Sequence, residues 1–227
     1  MIAMINWERN MNWIARKLHF FSAIGAPIRF AFGTGHFLSA IKSRAVDRYG
    51  DPLPWYTYPV IDFLTQLDFA SADVLEFGGG QSTLWWTKRA RSVVCMESNP
   101  MWCEALSKKV NGQAQINHVS SPNHAARILD GRTFDIIVID DGSGVGPHGR
   151  EANAKTAFAS LRPEGMIVVD NSDAAYCRPI LEEANQIGYS RIDFAGWTPG
   201  SFGKSCTTLL FLEPPGRLRY KQRPRVW

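Results

Sequence analysis

Between residues 73 and 187, short apolar runs alternate with segments whose apolar positions recur at helical spacing. Strands are predicted at 73–77, 92–97, 114–119, 134–140 and 165–170, and helices near 82–91, 100–110, 122–130, 150–161 and 173–187. This alternation predicts a parallel sheet with helices on both faces, the doubly wound α/β class. Local punctuation agrees. Asn99 can cap a helix that opens at Pro100, Asn111-Gly112 can end it, and Gly188 stops the fifth helix. The pattern then changes. Runs at 189–196 and 205–212 have no helix-length segment between them, so they predict an antiparallel hairpin. The result is a mostly parallel seven-stranded sheet with an antiparallel terminal strand.

Ahead of the sheet, residues 1–50 are helical in pattern, with Trp13, Ile14, Leu18 and Phe21 at helical spacing. Gly33, Gly35 and Gly50 are expected to break this extension into short helices. Packing on the main domain is the first expectation. A contact between copies of the chain and a helix lying on a membrane surface are the alternatives. Residues 50–59 are rich in proline and in Trp55, Tyr56 and Tyr58, which predicts an ordered loop before a helix at 60–67. Three parts follow: the extension (1–50), an α/β domain (51–213) and a basic tail (214–227).

Composition narrows the classes. The chain has 227 residues and 45% hydrophobic content, enough for one α/β domain with a full core. Its net charge of +4 is mild, and Arg217, Arg219, Lys221, Arg223 and Arg225 cluster in the tail. Cys95, Cys103, Cys177 and Cys206 show no paired spacing, which suits buried thiols in a reducing compartment. The most apolar stretch, 18–41, is interrupted by Pro27, Arg29 and His36, and the N-terminus lacks a signal-peptide pattern. A soluble cytoplasmic protein without a membrane span is the expectation.

The chemistry concentrates at the first strand's end. Val74-Leu75-Glu76-Phe77 breaks into Gly78-Gly79-Gly80, and Gln81-Ser82-Thr83 opens a helix; the next strand ends in Glu97. Glycines allow close backbone approach to a ligand, and a carboxylate ending the next strand can accept bonds from two ribose hydroxyls. A dinucleotide site would need the G-x-G-x-x-G spacing, which fails after Gly80. Glu76-x-Gly78-x-Gly80-x-Ser82 instead resembles the E/D-x-G-x-G-x-G signature of class I S-adenosylmethionine-dependent methyltransferases. The segments 54–59, 75–86 and 168–173 look like a bacterial group of these enzymes of largely unassigned substrate, over residues 50–212. The resemblance implies a Rossmann-like fold and S-adenosylmethionine as cofactor. Gly78, Gly80, Gln81 and Ser82 would wrap its methionine end, with Glu76 as a further acceptor. Glu97 would hold the ribose, Ser98 and the loop after Val119 would lie near the adenine, and Asp140 would face the cofactor and the acceptor.

Methyl transfer to oxygen needs an aligned acceptor and a place for its proton. Asp140-Asp141 end the fourth strand and Asp170-Asn171 the fifth, where ligand-facing residues of such sheets emerge. Asp140, Asp170 and Asn171 look like the magnesium ligands of catechol O-methyltransferase-type enzymes. The lysine base of those enzymes is missing, so the trio either holds Mg2+ or simply lines the pocket. His148, on a glycine-rich loop, is the best candidate general base unless it is simply an exposed loop histidine, and Asp140 is the other candidate. Arg150 can bind an anionic part of the substrate or make a surface ion pair. Trp55, Tyr56 and Tyr58 can stack on a ring or sugar face or join the core. The expected activity is methylation of a hydroxyl on a small molecule or glycan. No base-flipping motif or broad basic face points to nucleic acid. A non-catalytic binding protein on the same sheet and a nicotinamide-dependent oxidoreductase are the rival readings.

Overall fold

The computed structural model describes residues 2–110, 112–142, 149–212 and 219–220. Helices α1 (Ile2–Gly33), α2 (His36–Lys42) and α3 (Tyr58–Thr65) come first, followed by a two-residue strand β1 (Leu67–Asp68). The repeating unit then runs β2 (Asp73–Phe77), α4 (Gln81–Thr87), β3 (Ser92–Glu97), α5 (Pro100–Val110), β4 (Gln115–His118), α6 (Pro122–Leu129), β5 (Phe134–Ile139), α7 (Arg150–Ser160) and β6 (Leu161–Val169). A 3-10 turn at Ala175–Cys177 leads into α8 (Arg178–Ile187), then β7 (Ser190–Trp197) and β8 (Lys204–Phe211). In the tail, β9 (Arg219–Tyr220) pairs antiparallel with β1.

The seven strands β2 to β8 form one sheet in the order β4-β3-β2-β5-β6-β8-β7. Pairings from β4 across to β6 are parallel, and β8 runs antiparallel to both β6 and β7. The predicted seven-stranded sheet with one reversed strand is the one found. That strand, late in sequence, is inserted one place in from the edge.

Side chains alternate between two cores, as pleating requires. Leu75, Phe77, Ile137 and Ile139 face α6, α7 and α8. Val74, Ile136, Val138 and Val168 face α3 and the paired indoles Trp85 and Trp86 of α4. Every residue of β5 is buried, which fits the centre of a doubly covered sheet.

Several boundaries differ from expectation. The helix after the glycine turn stops at Thr87, because Arg89 and Ala90 N–H bond back to Trp86 O and Arg91 N–H crosses to Ala72 O. Strand β6 starts at Leu161, directly behind α7. Leu161 pairs with Phe134 and the register then slips before Met166 meets Ile136. Helix α8 begins five residues late: Ser172 N–H is taken by Cys206 O, and the Asp173 carboxylate accepts Cys206 N–H. The extension is one 32-residue helix closed at Gly33 rather than several short ones, with only α2 split off behind the left-handed Gly35.

Residues 50–57 form an ordered loop, two residues shorter than expected because α3 starts at Tyr58 with Pro59 in its first turn, and it is pinned to the terminal hairpin. Trp55 Nε1 donates to Pro199 O at 2.7 Å, Thr57 N–H to Thr207 Oγ1 at 3.0 Å, and Thr57 Oγ1 to Phe194 O at 2.8 Å. Helix α2 docks on the same hairpin, with Gly200 N–H on His36 Nδ1 at 3.2 Å. These contacts place α2 and Trp55 over the C-terminal edge of the sheet. Thr57→Val removes one buried hydrogen bond worth about 1 kcal/mol. For a chain of this size that is about 2–4 °C in the unfolding midpoint, readable by calorimetry.

Candidate active site

The turn after β2 is built from three glycines with different reasons to be glycine. Gly78 has φ +90°, and a Cβ there would lie 2.6 Å from the Asp141 backbone. A Cβ on Gly79 would meet Leu106 Cδ2 at 2.6 Å and Cys95 Sγ at 2.8 Å. Gly80 is extended, at φ −178°, and a Cβ would meet nothing within 4 Å. Packing within the chain therefore demands the first two and leaves the third facing open space. Gly80 N–H donates to Thr83 Oγ1 at 3.0 Å, and that hydroxyl donates to Glu76 Oε2.

Glu76 is fully buried beneath the turn rather than in the cavity wall, and its Oε1 has no partner among the described residues. Burial pushes its carboxyl up to about 7, opposed by the hydroxyls of Ser82 and Thr83. Glu97, at the end of β3, does face the cavity. Its Oε2 accepts Gly79 N–H at 2.9 Å and its Oε1 accepts Asn99 N–H at 2.7 Å. Two backbone donors thus fix the carboxylate while lone pairs remain for a ligand. Asn99 caps α5 as expected, its Oδ1 accepting Met101 and Trp102 N–H at 3.0 and 3.1 Å. That cap sets Trp102 beside the turn, where its indole N–H donates to Gly79 O at 2.5 Å.

A cavity of about 730 Å³ opens over the C-terminal ends of β2, β3, β5 and β6. This is the volume class of small-molecule sites, at the crevice where doubly wound sheets bind ligands. Gly78, Gly80, Gln81, Ser82, Glu97, Ser98 and Asp140 all line it, as do Asp170 and Asn171. Trp55 is at its rim and half exposed, whereas Tyr56 and Tyr58 belong to the core. Trp102, Lys42, Arg44, Thr198 and Ser201 complete the wall and were not anticipated. Trp102 was legible in principle, three residues past a capping Asn. The others come from distant elements with no local signal. His148 lies outside the described residues.

Arg150 overturns the expectation of a substrate-binding or surface arginine. It is 4% exposed. Its Nε donates to Asp141 O at 3.0 Å and Gly142 O at 3.2 Å, and its Nη1 donates to Asp170 O. Its Nη2 donates to Asp140 Oδ1 and to Asn171 Oδ1, both at 3.0 Å. Thr207 Oγ1 donates to Asp170 Oδ1 at 2.7 Å. The trio expected to hold Mg2+ is thus already bonded to an internal cation and a hydroxyl, and no group of three acidic, His or Cys side chains among the described residues is arranged for a metal. These residues do not fit a divalent ion.

The guanidinium sits among carboxylates that burial makes harder to ionise. Asp141 is raised to about 7 by burial, against the pull of Arg150, and Asp170 to about 6 by burial, against its bond to Thr207. Asp140 is raised too, by burial and then by Asp170, with Arg150 opposing. Burial thus favours the protonated form of each of these carboxylates, and Arg150 opposes it.

No family model matches the chain, and no curated protein matches it in sequence. Solved structures do. Precorrin-6y C5,15-methyltransferase from Geobacter metallireducens superposes with a TM-score of 0.56 at 13% identity, over 77% of this chain and 96% of that one. The O-methyltransferase from Bacillus cereus in complex with SAH gives 0.55 at 15%, over 83% and 97%. The 16S rRNA N2 G1207 methyltransferase RsmC from T. thermophilus, in complex with AdoMet and guanosine, gives 0.50 at 22%, over 64% of this chain but only 38% of its own. The chain has the Rossmann-like fold of class I S-adenosylmethionine-dependent methyltransferases.

Three measurements check this electrostatic picture. Arg150→Met leaves buried carboxylates without their cation and is expected to cost about 3–5 kcal/mol in denaturant unfolding. Magnesium in excess is expected to leave the unfolding midpoint of the native protein unchanged. Glu76 binds its proton more tightly folded than unfolded, so its contribution is complete below its ordinary value of 4.5 and is lost as pH rises through about 7. The fall in unfolding free energy from pH 5 to 8 should be shallower in Glu76→Gln, by on the order of 1–3 kcal/mol.

Proposed function

We propose that this chain is an S-adenosylmethionine-dependent methyltransferase whose acceptor is a hydroxyl of a small molecule or glycan. The observation that carries the proposal is Gly80, a glycine that no contact within the protein requires, opposite the backbone-fixed Glu97 carboxylate in one cavity. Glu97 accepts from the two ribose hydroxyls. Gly78, Gly80, Gln81 and Ser82 enclose the methionine end, and Ser98 and Trp102 border the adenine. Buried beneath the turn, Glu76 holds a proton up to about pH 7 in the ligand-free chain, and a cation bound above it favours the ionised form.

Bound there, the cofactor supplies an electrophilic methyl carbon on a sulfonium sulfur. The chain's part is to align an acceptor oxygen against it and to receive the hydroxyl proton. Asp140 is the carboxylate placed for that proton, held in orientation by Arg150, with burial raising its affinity for a proton. His148, seven residues beyond Asp141 in the sequence, is the second candidate base. Trp55, Thr198 and Ser201 supply a flat apolar face and hydroxyls on the acceptor side, a set suited to a ring or sugar.

Calorimetric titration with S-adenosylmethionine and S-adenosylhomocysteine tests the proposal, and absence of heat with both overturns it. Glu97→Ala is expected to weaken binding about 10–100-fold, the loss of charge-assisted hydrogen bonds. Gly80→Val should abolish binding while leaving the ligand-free unfolding midpoint unchanged. An acceptor screen with labelled methyl donor then separates hydroxyl compounds from RNA.

A further inference from the structure

The helices ahead of the sheet present an apolar surface that no described residue covers. In α1, Phe20, Phe21, Ile24, Ile28 and Phe32 are between 54 and 66% exposed. At about 100° per residue they fall within about 120° of the helix circumference, along about 18 Å of its length. His19, Ser22, Ala26 and Arg29 take the other side. The stripe does not end with α1. The Phe32 ring lies 5.4 Å from that of Phe37, and Phe37 and Ile41, one turn apart in α2, are 50 and 66% exposed. The three residues after Ile41 are Lys42, Ser43 and Arg44, which line the cavity.

Charge is segregated with this surface. Residues 1–50 carry seven Lys and Arg against two Asp and Glu, whereas residues 51–213 carry 13 against 19. No described helix is long and apolar enough to cross a membrane. Aromatic and branched apolar side chains on one face, with cations beside them, are the chemistry of a helix that lies in the interfacial plane of a bilayer. A second copy docking isologously would bring the same cations of both copies to one interface, with little acidic surface near the stripe to answer them. Anionic headgroups are complementary instead.

We propose that α1 and α2 form an in-plane docking surface for an anionic phospholipid bilayer, with the cavity rim at Lys42 and Arg44 brought to the headgroup layer. The test is co-sedimentation of the full chain with vesicles of phosphatidylglycerol and phosphatidylcholine in equal parts, and with vesicles of phosphatidylcholine alone. Binding is expected on the anionic vesicles, weakened by salt and much lower on the neutral ones. Ile24→Glu combined with Phe32→Glu should reduce it about tenfold or more, with the unfolding midpoint and cofactor affinity as in the native chain. Ile24→Glu alone should give a smaller loss in the same direction. The proposal is overturned if the native chain stays in the supernatant, if it binds both vesicle types equally, or if the substitutions leave binding intact. It is also overturned if the native chain is a dimer that the substitutions convert to monomers, since a second copy then covers the stripe. Vesicle binding is read without cofactor, so its failure and a failure of the methyltransferase reading are separate results.

Discussion

One buried guanidinium holds together the ends of the two strands that form the cavity floor. Arg150 opens α7, yet its donors reach back to the carbonyls of Asp141, Gly142 and Asp170 and to the side chains of Asp140 and Asn171. Those groups follow β5 and β6, and each would otherwise keep an unmet acceptor where water is scarce. Burying a charge this deeply is costly unless its partners are close, and here each of its three nitrogens has at least one acceptor. The Tyr176 ring, 5.4 Å from the guanidinium carbon, closes the remaining side.

This arrangement determines what the cavity floor can do. An acidic cluster with no cation would either draw a metal ion or protonate. With Arg150 in place, the cluster is partly neutralised from below, and the Asp140 carboxylate stays presented to the cavity at a raised pKa. The same floor is braced from the hairpin, since Thr207 donates to Asp170 and accepts from Thr57 of the aromatic loop. Strand ends, loop and hairpin are thus one hydrogen-bonded unit, and a change in any of them reaches the position of Asp140.

Much of this was legible in the chain because it is local. The β/α order follows from periodicity, the Asn99 cap from its place before Pro100, and Glu97 from its position ending an apolar run. What was not legible depends on contacts between distant residues. Helix α8 starts late because Ser172 and Asp173 are bonded to Cys206, 34 and 33 residues on. Arg150 looked like a surface residue at a helix start, and only the convergence of β5 and β6 buries it. The breaks expected at Gly33 and Gly35 are local and are found; α1 is nonetheless long, because an exposed helix can lose a hydrogen bond at Pro27 and leave the freed carbonyl to water.

The glycine turn shows how fold and function separate within three residues. Gly78 is needed because the left-handed backbone and the Asp141 main chain leave no room for a Cβ, and Gly79 because Leu106 and Cys95 press against it. Any sheet of this topology with β2 and β5 adjacent would meet the first constraint, whatever it binds. Gly80 meets neither a left-handed backbone nor a neighbour within 4 Å, and it lines the same cavity as Glu97. A packing argument accounts for two of the three glycines, and the third leaves the cavity wall without a side chain at that point.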